Sequence, residues 1–283
     1  MFIPAGLDYV QGQPDFAFSF AASAGVTIFW GMLFVLAFRG MYSKPTTAQM
    51  YLATTLSWIL VCSFAAVPFV FAPFSISYTD AFFEAMSGLS TMGATIYPDL
   101  DNCSDGIILW RSLLHWFGGL GIIALAMLLS PFLRIGGIKL FRFNVLTMTM
   151  VQSLRQKLMP HAVLVPKFNC RPVTTDIILS VLIFMITFCI TSVISVLLLS
   201  MCGLDFLTSV SAVFSALGNT GIGLGPVIGS SGPGFCSLPS FAKWVLSADM
   251  LLGRLEFMSI FILILPMAWK RNILGRCKLE AAF

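Results

Sequence analysis

Two short stretches combine residue types that could do chemistry in an otherwise apolar chain. "STMGAT" runs from Ser90 to Thr95, and "GNTGIG" from Gly218 to Gly223. Each sets a glycine among hydroxyl or amide side chains. The chemistry available to such a turn is coordination of a cation by backbone carbonyls. A dehydrated cation needs several oxygens at once, and carbonyls supply them without a fixed charge, so the ion can leave again. Aiming successive carbonyls at one axis demands unusual backbone angles, which glycine adopts cheaply. Threonine and asparagine side chains can hydrogen-bond behind the turn and stiffen it. The plainer alternative is a pair of interfacial loops whose glycines only cap helices.

The elements that must hold these turns follow from hydropathy. The 283 residues are 58% hydrophobic and only 10% charged, against about 25% charged in an ordinary soluble domain. Mean hydropathy is +0.94. This composition points to a polytopic membrane protein, and the apolar runs are long enough for helices. Five spans are expected, at roughly 17–38, 50–72, 107–133, 177–202 and 241–269. Two further apolar segments, 79–89 and 205–217, directly precede the glycine turns. At about ten residues they are too short to cross a hydrocarbon core of about 30 Å as helices. They are expected to be re-entrant, which is tolerated where protein or water surrounds them. The fold class is therefore all-α, with two helix–re-entrant loop–helix repeats plus one N-terminal span. The organisation reads as an N-terminal span and cytoplasmic turn (1–49), a first pore unit (50–137), a basic connector (138–175), and a second pore unit with a basic tail (176–283). "DAFFEAMSGLSTMGAT" in the first unit aligns with "TSVSAVFSALGNTGIG" in the second.

Charge orients the chain. Segments 39–49, 134–175 and the tail hold 13 of the 16 Lys and Arg residues. The positive-inside rule makes them cytoplasmic and puts the N-terminus outside. Eight of the twelve acids fall on the opposite side, where they would concentrate cations. The basic run 134–171 is accounted for by the cytoplasmic membrane face, not by nucleic acid. The N-terminus "MFIPAGLDYVQGQPDF" lacks the basic start and cleavage site of a signal peptide. Seven cysteines form no C-x-x-C pair. Cys103 and Cys236 fall in loops assigned to one side, which permits a disulfide. With two histidines, no metal-ligand cluster, no evident triad and no nucleotide-binding glycine loop, an enzyme is not expected.

"YTDAFFEAMSGLSTMGAT", followed by "GIILWRSLLHWFGGLGIIALAMLLSPFLRIGG", resembles the first pore unit of the Trk/Ktr/HKT potassium transporter family, closest to its bacterial TrkH branch. "IKLFRFNVL" and "LRQKLMPHAV" resemble the approach to that family's last unit. "SAVFSALGNTGIGLG" and "FAKWVLSADMLLGRLEFMSIFILILPMAW" resemble the last unit itself. The resemblance implies potassium uptake across the bacterial inner membrane through four filter turns around one pore, with proton coupling left open. It also implies a cytoplasmic NAD- or nucleotide-binding regulatory subunit of the TrkA type, and no organic cofactor on this chain. Carried over by position, Thr91 and Met92 before Gly93, and Asn219 and Thr220 before Gly221, would present carbonyls to potassium. Met92 stands where the family pattern has threonine, so a hydroxyl behind the filter is lost. By the resemblance only two of four units are present, the first and the last, with the join near "RIGGIKLF", Arg134–Phe141. The N-terminal stretch resembles the end of a leading span whose beginning is absent. A working pore would then need a second copy of the chain, or a chain supplying the missing units; the alternative is an internally deleted, non-transporting remnant or assembly subunit.

Several other residues stand out. Arg254 lies inside the last span, where an arginine is costly. The resemblance suggests a pore-facing barrier to cations; pairing with Glu256, Asp249 or Glu84 is the structural alternative. Arg111 and His115 are four apart and share a helix face. Arg111 is expected to anchor the outer pore and His115 to play an interfacial structural role. Asp80 and Glu84 either bond the surroundings of the filter, attract cations, or form a solvated helix start. "FGGLG", Phe117–Gly121, is read as a site of close helix packing.

Overall fold

The computed structural model describes residues 1–40, 47–73, 76–97, 103–129, 147, 151, 167–168, 171–172, 175–229 and 234–255. The proposed join at Arg134–Phe141, most of the basic connector, Glu256 and the basic tail lie outside them. Among the described residues the fold is helical. In chain order the helices are α1 (Phe2–Val10), α2 (Pro14–Ala37), α3 (Thr47–Phe71), α4 (Tyr78–Leu89), α5 (Asp105–Leu129), α6 (Thr175–Met201), α7 (Phe206–Gly218) and α8 (Ser240–Leu255). A 3-10 turn, Gly234–Ser237, leads into α8. Among the described residues the strands are a two-residue ladder, β1 (Lys167–Phe168) against β2 (Arg171–Pro172), inside the basic connector.

The five expected spans correspond to α2, α3, α5, α6 and α8. Among the described residues, Pro14–Ala37, Leu52–Phe71 and Val181–Met201 are long and apolar enough to cross a membrane. The two short segments are helices of 12 and 13 residues, about 18–20 Å long at the helical rise. Both begin on a side-chain cap. Ser77 Oγ accepts the Asp80 N–H at 3.2 Å, and Asp205 Oδ2 accepts the Leu207 N–H at 3.2 Å. Such caps satisfy N–H groups that a helix start leaves open. The capping positions are 128 residues apart, and that offset holds through both short helices and their turns.

Two compact units emerge. One joins Met1–Leu120 with Ile194–Phe283, and the other is Gly121–Val193. The first contains both short helices and both glycine turns. Its core includes Phe20, Phe69, Phe83, Met86, Ile107, Leu246 and Met250, all fully buried. The Ser19 hydroxyl donates to the Phe71 carbonyl at 2.7 Å, tying α2 to α3, and the Trp110 indole donates to the Ala65 carbonyl at 3.1 Å, tying α5 to α3. The helix α1 is an addition to the sequence reading. Its Asp8 is fully buried and accepts the Gly106 N–H at 2.8 Å and the Ser104 hydroxyl at 3.4 Å. It thereby serves the start of α5 from a distant part of the chain. Cys103 and Cys236 carry thiols, with no disulfide between them. Cys236 instead offers its carbonyl to Lys243 at 2.9 Å.

Candidate functional site

The two glycine turns share one backbone design. In each, a residue in the left-handed region follows the short helix, and a left-handed glycine comes two positions later. The φ values are +59° at Thr91 and +85° at Gly93, then +51° at Asn219 and +74° at Gly221. Asparagine tolerates this region, whereas a β-branched threonine there is an outlier held by its surroundings. The restraints match too. The Thr91 N–H donates to the Gly88 carbonyl at 3.0 Å and the Met92 N–H to the Ser87 carbonyl at 3.0 Å. One repeat on, the Asn219 N–H donates to the Ala216 carbonyl at 3.2 Å and the Thr220 N–H to the Ser215 carbonyl at 3.0 Å. These bonds close the C-termini of both helices and turn the chain in the same way.

The turns meet each other. A Cβ on Gly221 would fall on the carbonyl oxygen of Met92, so the two backbones approach as only a glycine allows. Thr91, Met92, Gly93, Asn219, Thr220 and Gly221 are thus brought into one neighbourhood. Met92 is buried, at 3% exposed. Gly93 has open space, with His115 Cε1 nearest at 3.8 Å from its Cβ position.

Each turn is pinned from behind by its own short helix. Glu84 Oε2 accepts the Ile96 N–H at 2.8 Å, and Oε1 forms an ion pair with Arg111 of α5. Glu84 is 1% exposed, so it is neither a solvated helix start nor a cation lure. In the second repeat Ser211 takes over the task. Its hydroxyl accepts the Leu224 N–H at 3.0 Å and donates to the Leu224 carbonyl at 2.6 Å. Ile96 and Leu224 are equivalent positions, but Glu84 and Ser211 are not. The sequence alignment therefore could not reveal this role for Ser211.

The following span clamps each short helix. A Cβ on Gly118 of α5 would strike the Leu89 carbonyl, and one on Gly253 of α8 would strike the Leu217 carbonyl. Leu89 and Leu217 are equivalent last-turn residues. Close packing at "FGGLG" is thus observed at Gly118, and Gly253 is its unanticipated partner. Both contacts let a backbone approach at a small residue.

Asp80 pairs with Lys243 of α8, which is 5% exposed, and also accepts the Ser77 hydroxyl at 2.8 Å. The signal for this pair was present as a basic residue near the start of the last span. Arg254 donates from Nη2 to the Gly118 carbonyl at 2.7 Å. Among the described residues it has no carboxylate partner: Glu84 holds Arg111, and Asp249 Oδ1 accepts the Ser195 hydroxyl at 2.8 Å. Its Nε is buried without a partner among the described residues.

Residues 18–136 and 134–271 each match the family model of TrkH, a cation transport protein. The chain belongs to the TrkH cation transport family. The Trk system potassium uptake protein TrkI of Halomonas elongata is 23% identical, in an alignment covering 96% of this chain and 94% of that protein. Its 465 aligned positions exceed the 283 residues here, so at least 182 of them have no residue of this chain. The potassium uptake protein TrkH of Escherichia coli K12 is 44% identical over 93 residues, which is 32% of this chain and 19% of that protein. The crystal structure of the potassium transporter TrkH from Vibrio parahaemolyticus superposes with a TM-score of 0.86 at 19% identity, covering 95% of this chain and 96% of that one. That match establishes the TrkH fold for the chain.

Proposed function

We propose that this chain carries potassium inward across the bacterial inner membrane as half of a Trk-type pore, with Thr91, Met92, Asn219 and Thr220 offering carbonyls and Gly93 and Gly221 shaping the turns. The observation that carries this is the repeated left-handed pattern of the two abutting turns, each backed by a short capped helix. Relatives named as potassium uptake proteins supply the ion. The short helices are re-entrant on this reading, and their C-terminal carbonyls lend partial negative charge near the turns. Arg254, without a carboxylate among the described residues, acts as an electrostatic barrier whose hold on Gly118 links α8 to α5. The acidic face is outside, the N-terminus lies on that side, and the basic connector is cytoplasmic, where a nucleotide-binding regulatory subunit would dock. The chain is a transporter component, not an enzyme. Proton coupling remains part of the proposal.

Two turns do not supply the six to eight oxygens of a filter site, so a second copy or another chain completes the ring. The test is potassium uptake by potassium-starved cells that lack other uptake systems and express this chain. Rescue is expected, and it should vanish on replacing Gly221. Absence of rescue by a well-inserted chain would remove the claim of autonomous transport.

A second reading has its own support. The two family matches meet at residues 134–136, and at least 182 positions of the TrkI alignment are skipped. An internally deleted chain that inserts without conducting, or that serves assembly, fits this spacing. Uptake by this chain alone supports the first reading with a second copy as partner; uptake only on co-expression with a chain holding the two middle units supports the assembly subunit, and none in either case supports the non-conducting remnant.

A further inference from the structure

We propose that a second copy of this chain docks its α5 against α7, so that two chains related by a two-fold axis close one ring of four glycine turns. This deepens the reading of the turns as filter turns and rests on it. What points to it is a mismatch between equivalent positions of the two repeats. On α4 and at its C-cap, Phe82, Phe83 and Ser90 are buried. Their equivalents on α7 are Val210 and Ser211, both half-buried, and Gly218, which is exposed. Past the helices the contrast grows. Ala94 and Ile96 are 3% and 4% exposed, whereas Ile222 and Leu224 are 76% and 63% exposed. The Ser87 hydroxyl donates to the Ala94 carbonyl at 2.6 Å, whereas the equivalent Ser215 hydroxyl is buried without a partner among the described residues.

The cover that α4 has, and α7 lacks, comes from α8 and its lead-in turn. Trp244 packs on Phe82 with ring centroids 4.8 Å apart, Phe235 packs on Phe83 at 5.7 Å, and Lys243 holds Asp80. The helix equivalent to α8 is α5, with an offset of 135 given by Gly118 and Gly253. On α8 the stripe Lys243, Ser247, Leu251 and Leu255 is buried. On α5 the equivalent stripe, Ile108, Ser112, Trp116 and Leu120, is exposed. One chain therefore contains a closed α4/α8 contact and both open halves of its counterpart, α5 and α7.

Two copies can satisfy both halves at once, because a two-fold axis brings each α5 to the other chain's α7. The resulting ring alternates two contacts within chains and two between them. Lipid is a poor cover for this face. The backbone from Gly221 to Gly229 is irregular and lines an open cavity of about 470 Å³. Irregular backbone at membrane depth persists only where protein or water covers it. Apart from Ser112 the α5 stripe is apolar, matching Val210, Ile222 and Leu224.

The decisive experiment is cysteine cross-linking in native membranes. Two differently tagged full-length chains are co-expressed, one with Leu109→Cys and the other with Val210→Cys, the equivalents of Trp244 and Phe82. The background carries Cys189→Ser and Cys236→Ser, which removes the exposed thiols among the described residues, and Cys170→Ser and Cys277→Ser. Oxidant should produce a mixed-tag dimer several-fold above a control pair, Val35→Cys with Ile190→Cys. A photo-crosslinking residue at position 222 should independently give a product of twice the chain mass. No mixed-tag dimer from well-inserted chains, or a photoproduct with a different polypeptide, overturns the proposal. A mixed-tag dimer in cells that show no potassium uptake would instead leave the docking standing and remove the filter reading.

Discussion

At the residue scale, glycine and charge do different work in the two turns. Gly93 and Gly221 both hold left-handed backbone, but only Gly221 touches a neighbouring backbone. Gly93→Ala should cost strain alone, about 1–2 kcal/mol, and lower potassium uptake in part. Gly221→Ala adds a collision with the Met92 carbonyl and should abolish uptake at equal membrane abundance. Glu84 and Arg111 are a buried pair whose value lies in holding Ile96. Glu84→Ala would strand the guanidinium, and thermal unfolding in detergent should show a loss of about 3–5 kcal/mol. Adding Arg111→Ala should restore part of that loss. Asp8 offers a pH test outside the spans. Burial pushes its carboxyl above the ordinary aspartate value, against the opposing bonds from Gly106 and Ser104. The folded chain then binds the proton more tightly than the unfolded one. Stability accordingly falls as pH rises from the ordinary value through the raised one. Asp8→Asn should flatten that part of a pH-dependent melting curve.

At the element scale, each unit is a short capped helix locked between a glycine turn and a glycine on the next span. Gly118→Leu and Gly253→Leu should each force the span off the short helix. Loss of folded protein in detergent and loss of uptake are expected together, since the contact is with backbone and no side chain can yield. Ser211→Ala is a milder change. It removes two hydrogen bonds to Leu224, should cost about 1–2 kcal/mol, and should weaken the second turn without unfolding the chain. The helices themselves were legible beforehand, because length and hydropathy separate a 25-residue span from a 12-residue segment. Their partners were not. Glu84 was visible as an acid on a short helix, but its bond to Ile96 and its pairing with Arg111 depend on where α5 lies. Ser211 offered no signal, because an exposed-looking serine on an apolar helix is indistinguishable from many others.

At the scale of the whole molecule, the quantity that decides transport is the number of turns around an ion. Arg254→Ala should raise potassium flux in cells where the chain conducts, since it removes a positive charge bound only through the Gly118 carbonyl among the described residues. It should change nothing where the chain merely inserts, so flux with and without this substitution reports whether a pore exists. Sequence alone determined the class of solvent, the helical spans, the two short segments, the internal repeat and the glycine turns. All of these follow from hydropathy, length and the special backbone freedom of glycine, which are properties of local sequence. Tertiary structure alone decided that the turns abut at Gly221 and Met92, that Glu84 and Ser211 perform one task from different positions, and that α4 is covered while α7 is open. Those facts depend on distances between residues far apart in the chain, and a local pattern carries no distance.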